Sequence, residues 1–150
     1  MNEATALEIL LVEDNPQDLE LALRTLQKAR LTNRIQVARD GAEALDYIFC
    51  EGAHVMRRID QCPNVILLDL KLPKIDGLDV LRRIKSDPRT KIIPVVVLTS
   101  SKEQNDVVES YSLGVNSYIV KPVNFETFAQ SVRDIGFYWL LLNQKPQQTG

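Results

Sequence analysis

Three acidic residues stand where two short apolar runs stop. Ile9-Leu10-Leu11-Val12 leads into Glu13-Asp14, and Val65-Ile66-Leu67-Leu68 leads into Asp69. If both runs are strands of one parallel sheet, their ends share an edge and the three carboxylates crowd one place. Like charges repel, so such a cluster is costly unless a cation sits among them. An all-oxygen set of this kind suits Mg²⁺, which keeps several waters and pairs naturally with a phosphoryl group. Thr99 and Lys121 close two further runs, Pro94–Leu98 and Ser117–Val120. Taken singly, each residue has a plainer explanation. Asp14 could cap a helix, Asp69 a loop, Thr99 could simply end a strand, and Lys121 could be a surface lysine before a proline. The shared placement of all of them at run ends favours a site.

The elements that must position these residues are legible in the pattern. Near-continuous apolar runs of four or five residues mark parallel strands covered on both faces. Ile9–Val12, Val65–Leu68, Pro94–Leu98 and Ser117–Val120 fit, and Arg34–Ala38 is a weaker fifth. Helical patterns lie between them. Asn15-Pro16 opens the first, with Leu19, Ala22, Leu23 and Leu26 on one face. Asp40 can cap the second, which carries Ala44, Leu45, Ile48 and Phe49. Asp76-Gly77 starts the third, with Leu78, Leu81 and Ile84. Ser101 can cap the fourth, with Val107, Val108 and Tyr111 on one side and Gly114 at its end. Asn124 can cap the last, which carries Phe125, Phe128, Val132 and Ile135. Strand and helix alternate five times, the signature of a parallel sheet with helices on both faces. Ligands of doubly wound sheets bind at the carboxyl ends of the strands, where Glu13, Asp14, Asp69, Thr99 and Lys121 fall.

Composition narrows the function classes. A chain of 150 residues, 45% hydrophobic and 25% charged, suits one soluble domain with a full core. A net charge of −2 gives no electrostatic reason to expect nucleic acid as a partner. The longest apolar run, Phe137 to Leu142, is far too short to span a membrane, and no stretch reads as an export signal. A cytoplasmic setting follows as the expectation, with Cys50 and Cys62 as reduced thiols. His54, the only histidine, lies in the irregular segment 50–64 and reads as a solvated loop residue rather than a phosphocarrier.

Leu11-Val12-Glu13-Asp14, Leu68-Asp69 followed by Pro73 and Gly77, Val97-Leu98-Thr99-Ser100 and Tyr118-Ile119-Val120-Lys121-Pro122 together resemble the receiver domain of two-component response regulators. The resemblance spans essentially the whole chain. It implies a (βα)5 flavodoxin-like fold, with a five-stranded parallel sheet in the order 2-1-3-4-5, over residues 1–150 as a single domain. It implies Asp69 as the phosphoacceptor, attacking a phosphohistidine to form an aspartyl-phosphate. It implies Mg²⁺ held by Asp14, Asp69 and the backbone carbonyl of Lys71, with Glu13 acting through a metal-bound water. Lys121 would pair with a phosphoryl oxygen, and Thr99 would donate its hydroxyl to the same group. Tyr118 would follow Thr99 inward as an aromatic switch, and Pro122 matches the family's cis-proline position. The insertion 50–64, the Ile93–Ser101 phrase, Ser110-Tyr111 and Phe137-Tyr138-Trp139 further resemble regulators paired with bacterial and cyanobacterial phytochromes. A light-regulated histidine kinase is then the implied donor, with an unknown downstream protein as target.

The terminal helix, about 124–142, carries more apolar residues than one face can bury. Phe137, Tyr138, Trp139 and Leu141 are therefore candidates for a homodimer interface. The tail 143–150 is polar and expected to fray. A phosphohydrolase using the same aspartyl-phosphate chemistry is the enzymatic alternative. Dehalogenase-type phosphatases need a second acid two residues after the nucleophile, and Lys71 stands there. A phosphate-independent scaffold is the remaining alternative, and the intact set Asp14, Asp69, Thr99 and Lys121 argues against it.

Overall fold

The runs that read as buried strands form one sheet. The computed structural model describes residues 8–28, 34–58, 63–121, 124, 126–128, 130–131 and 133–134. Its strands are β1 (Glu8–Val12), β2 (Arg34–Ala38), β3 (Val65–Leu68), β4 (Val95–Thr99) and β5 (Ser117–Val120). All pairs are parallel, in the order β2-β1-β3-β4-β5. The helices are α1 (Pro16–Lys28), α2 (Gly41–Phe49), α3 (Gly77–Ser86) and α4 (Gln104–Leu113). The described residues of 126–134 are also helical.

Alternation along the strands sorts the core into two layers. Leu10, Val12, Ile66, Leu68, Val95 and Val97 pack with α2 and with Leu78, Leu81 and Ile84 of α3. Ile9, Leu11, Val65, Leu67, Val96 and Leu98 face the other way, onto Leu19, Ala22 and Leu26 of α1 and onto Phe128. Ile9–Val12 of β1, all of β3 and Val95–Leu98 of β4 are apolar because both faces are covered, whereas β2 and β5, at the sheet edges, are mostly half-buried.

Local signals explain most helix ends. Asn15 Oδ1 accepts the N–H groups of Gln17 and Asp18, both at 3.0 Å, and Pro16 takes the first helical position. Asp40 Oδ1 accepts Glu43 N–H at 2.7 Å, and Asn124 Oδ1 accepts Thr127 N–H at 2.9 Å. Gly114 ends α4 in the left-handed region, at φ 102°, and donates to the carbonyls of Ser110 and Tyr111.

Three expectations need correction. Strand β4 runs Val95–Thr99 rather than Pro94–Leu98, which keeps Thr99 at its carboxyl end. Helix α4 begins at Gln104, not just after Ser101. Ser101 instead accepts Glu103 N–H at 3.3 Å and donates to Asp106 Oδ2 at 2.5 Å. The supposed inner face of α4 is not inner either. Val108 and Tyr111 are exposed, and the one buried residue is Ser110. Among the described residues, α4 packs against α3 and the β5 edge of the sheet.

The insertion is also more ordered than its irregular sequence suggests. Gly52–His54 forms a short 3-10 turn, and His54 packs edge-on against Tyr47 at 5.0 Å between ring centroids, rather than lying free in solvent. Arg57 stacks over the Tyr47 ring, 3.6 Å from its centre. Cys62, and with it any pairing to Cys50, lies outside the described residues.

Gly77 sets the distance between α3 and the loop after β3. A Cβ there would collide with Leu70 Cα and the Asp69 carbonyl oxygen, and Gly77 N–H donates to Leu70 O at 3.0 Å. Alanine ordinarily strengthens a helix relative to glycine. Here the contact reverses the sign, and Gly77→Ala is expected to lower unfolding stability by about 1–3 kcal/mol. Urea unfolding checks this. A variant as stable as the parent would show that the loop yields freely.

Candidate functional site: a carboxylate cluster at the strand ends

Register brings the acids together. Val12 pairs with Leu68, so the residues that follow, Glu13 and Asp69, lie side by side, and Asp69 N–H donates to Val12 O at 3.1 Å. One carboxylate oxygen from each of Glu13, Asp14 and Asp69 lies within 4.8 Å of the others. Glu13 and Asp69 are buried, at 2% and 6% exposure, while Asp14 faces solvent. The helix cap that Asp14 could have provided is made by Asn15, which leaves the Asp14 carboxylate open.

Lys121 reaches this cluster from two strands away. Its backbone N–H continues the ladder to Thr99 O at 2.8 Å. Its side chain crosses over the end of β4, and Nζ donates to Glu13 Oε1 at 2.8 Å, Asp18 Oδ2 at 2.8 Å and Asp69 Oδ2 at 3.2 Å. The other Asp69 oxygen, Oδ1, accepts Lys71 N–H at 3.1 Å. Thr99 is fully buried, and its Oγ1 accepts Ser101 N–H at 3.3 Å. Tyr118 is half-buried against the core, and its hydroxyl donates to Ser101 O at 3.0 Å. Thr99 and Tyr118 are thus joined through opposite ends of one residue.

The electrostatics carry the mark of crowded acids. Burial pushes the Glu13 carboxyl up, the Lys121 hydrogen bond opposes this and the Asp69 charge adds to it, for a value of about 7 against an ordinary 4.5. Burial alone would lower Lys121, but its bonds to Asp18 and Glu13 and the Asp69 charge outweigh it, and the ammonium is held above its usual range. A carboxyl whose pKa is higher folded than unfolded stabilises the fold when protonated. Its contribution is complete below 4.5 and is lost as pH rises through about 7. The metal-free protein is therefore expected to lose stability between about pH 5 and about pH 8, and Glu13→Gln should flatten that part of the profile. Urea unfolding across the range measures it. Parallel profiles for the two proteins would contradict the assignment.

The pattern of the response regulator receiver domain matches residues 9–133. The chain belongs to that family. This receiver is 45% identical, over 92% of its length and 86% of the relative's, to "Probable methanogenesis regulatory protein FilR2" of Methanothrix harundinacea. It is 41% identical to response regulator Rcp1 of Synechocystis, over 88% of each chain. Among solved structures it resembles the bacteriophytochrome response regulator RtBRR, with 51% identity, a TM-score of 0.80 and coverage of 95% of this chain and 85% of that one. The Mn(2+)-bound form of Rcp1 gives a TM-score of 0.76 at 39% identity, covering 93% of this chain and 99% of the other. The receiver is a response regulator homologous to phytochrome response regulators, and phosphorylation by a kinase is typical of the family. Its members are generally not enzymes. No helix among the described residues is long and apolar enough to cross a membrane.

Receivers bind a divalent cation in their acidic pocket. The residues here fit one. Their ligand atoms are hard oxygens in mutual reach, with one acid open to solvent for entry and two buried where unpaired charge is costly. Glu13, Asp14, Asp69 and Lys121 come together, while Thr99 and Tyr118 meet each other at Ser101. Pro122, Phe137, Tyr138, Trp139 and Leu141 lie outside the described residues. Sequence reasoning missed Asp18. The available signal was its place one helical turn past Asp14, on a helix that starts at the site.

Proposed function

We propose that this receiver takes a phosphoryl group from a sensor histidine kinase onto Asp69 and uses it to switch protein contacts. The observation that carries the reading is the placement of Asp69 between the Lys71 amide and the Lys121 ammonium, within the carboxylate cluster. In this reading an Asp69 oxygen attacks the phosphorus of a phosphohistidine. The new P–O bond forms as the P–N bond to the imidazole breaks, and the ring leaves with its electron pair. Asp14, Asp69 and the Lys71 carbonyl would hold Mg²⁺, with Glu13 acting through a metal-bound water. Bound Mg²⁺ supplies charge neutralisation to the transferring phosphoryl oxygens. Lys121 supplies the second positive charge.

Thr99 keeps a hydroxyl proton to give to the phosphoryl group, because its contact with Ser101 uses only a lone pair. Movement of Thr99 draws on Ser101, and Ser101 holds Tyr118. A local charge change is in this way passed to the β4–α4 loop. Exposed Val108 and Tyr111 on α4 give that change an apolar surface to act on. The reading treats residues 1–150 as one receiver working in the cytoplasm, self-associating through Phe137, Tyr138, Trp139 and Leu141. The RtBRR likeness supports a phytochrome-type kinase as donor. The FilR2 likeness favours, as second reading, a histidine kinase of another input, and phosphotransfer profiling separates the two.

Acetyl phosphate tests the chemistry. With Mg²⁺, intact-mass measurement should find one added phosphoryl group, and a chelator should prevent it. Wild-type protein that stays unlabelled in excess Mg²⁺ and acetyl phosphate would overturn the reading.

A further inference from the structure

The Lys121 ammonium has three N–H donors, and all three are taken. Glu13, Asp18 and Asp69 accept them. Glu13 and Asp69 belong to the group of acids able to share a cation, but Asp18 does not. A cation bound by the cluster therefore competes with Lys121 for two of its partners and leaves the third untouched. Asp18 is held in place for this. It sits in the first turn of α1, and its backbone N–H is fixed by Asn15 Oδ1 at 3.0 Å. Its carboxylate is half-exposed and its contact with Lys121 is 2.8 Å.

We infer that Asp18 is a positioning residue that tethers Lys121 to the α1 side of the cluster and so restrains it from meeting an arriving phosphoryl group. The inference rests on the phosphoacceptor reading above and extends it to a residue outside the cation cluster. It has two consequences of opposite sign. The Asp18 charge favours a cation in the cluster, both directly and by drawing Lys121 off Glu13 and Asp69. The same charge disfavours an anion at Asp69, because it repels the anion and occupies one N–H of the lysine that must receive it. A partner that is half-exposed acts through solvent-screened charge, so each effect is a modest factor rather than a loss.

Isothermal titration calorimetry on the full chain separates the signs. MgCl2 is titrated into metal-free wild type, Asp18→Asn and Asp18→Glu, and beryllium fluoride is then titrated at saturating MgCl2 as a phosphoryl mimic. Asp18→Asn should bind Mg²⁺ about two- to fivefold more weakly and beryllium fluoride about three- to tenfold more tightly. Asp18→Glu, which keeps the charge, should track the wild type in both. A merely structural lesion at the start of α1 would weaken both ligands together. Beryllium fluoride binding that is unchanged or weaker in Asp18→Asn would overturn the inference while leaving the phosphoacceptor reading intact. Failure of the wild type to bind beryllium fluoride in Mg²⁺ would instead remove that reading, and this inference with it.

Discussion

Asp69→Ala should take up no phosphoryl group from acetyl phosphate and Mg²⁺ under conditions that fully label the wild type. Other acids stand nearby, so the expectation is not trivial. In the metal-free protein burial raises the Glu13 pKa to about 7, and with Mg²⁺ present the family resemblance gives Glu13 the cation rather than the phosphoryl group as its partner. It also accepts bonds from Lys121 and from Asn15 N–H. Asp14 faces solvent at the rim, and Asp18 stands outside the cation cluster. Asp69 is buried, with the Lys71 amide on one oxygen and the Lys121 ammonium on the other, and it stands where the family resemblance puts the acceptor. Loss of labelling here is not a folding defect. Removing Asp69 relieves repulsion of Glu13, so the metal-free variant should melt at or above the wild-type temperature. Intact-mass analysis reads the label and circular dichroism reads the melt. A labelled Asp69→Ala protein would move the acceptor to another acid.

Lys121→Met should be the next most damaging change, and it should be visible twice. Its ammonium is the protein's own positive charge inside the cluster. Losing a charge aimed at the transferring group costs about 10²–10³ in rate, by analogy with lost oxyanion donors. Stopped-flow or quench-flow labelling measures that factor. The second effect is on the fold. Lys121 joins a strand on one edge of the sheet to acids on β1–α1 and β3, and it is only 13% exposed. Its removal leaves Glu13 and Asp69 buried without a counterion, which should lower metal-free stability by about 1–3 kcal/mol near pH 8. The loss should shrink near pH 6, because Glu13 then takes up a proton and the repulsion falls. Equal stability of variant and parent at both pH values would show that Lys121 is not the counterion of the cluster.

What the sequence determined by itself is the kind of fold and the membership of the cluster. Near-continuous runs such as Val65–Leu68, short and bounded by turn residues, favour strands covered on both faces, and in a parallel sheet the acids that end them lie on one edge. The caps at Asn15, Asp40 and Asn124 and the stop at Gly114 were equally legible, because each satisfies a backbone group within a few residues of itself. Contacts between distant segments were not. That Lys121 has Asp18 as a partner depends on how α1 leans over the ends of β1 and β3, which no local spacing encodes. That α4 shows Val108 and Tyr111 to solvent depends on how the helix is set against α3 and β5, although their spacing reads as a buried face. Periodicity reports which side of an element is apolar. Only the assembled sheet decides how much surface there is to bury it against, and which charges end within reach of one another.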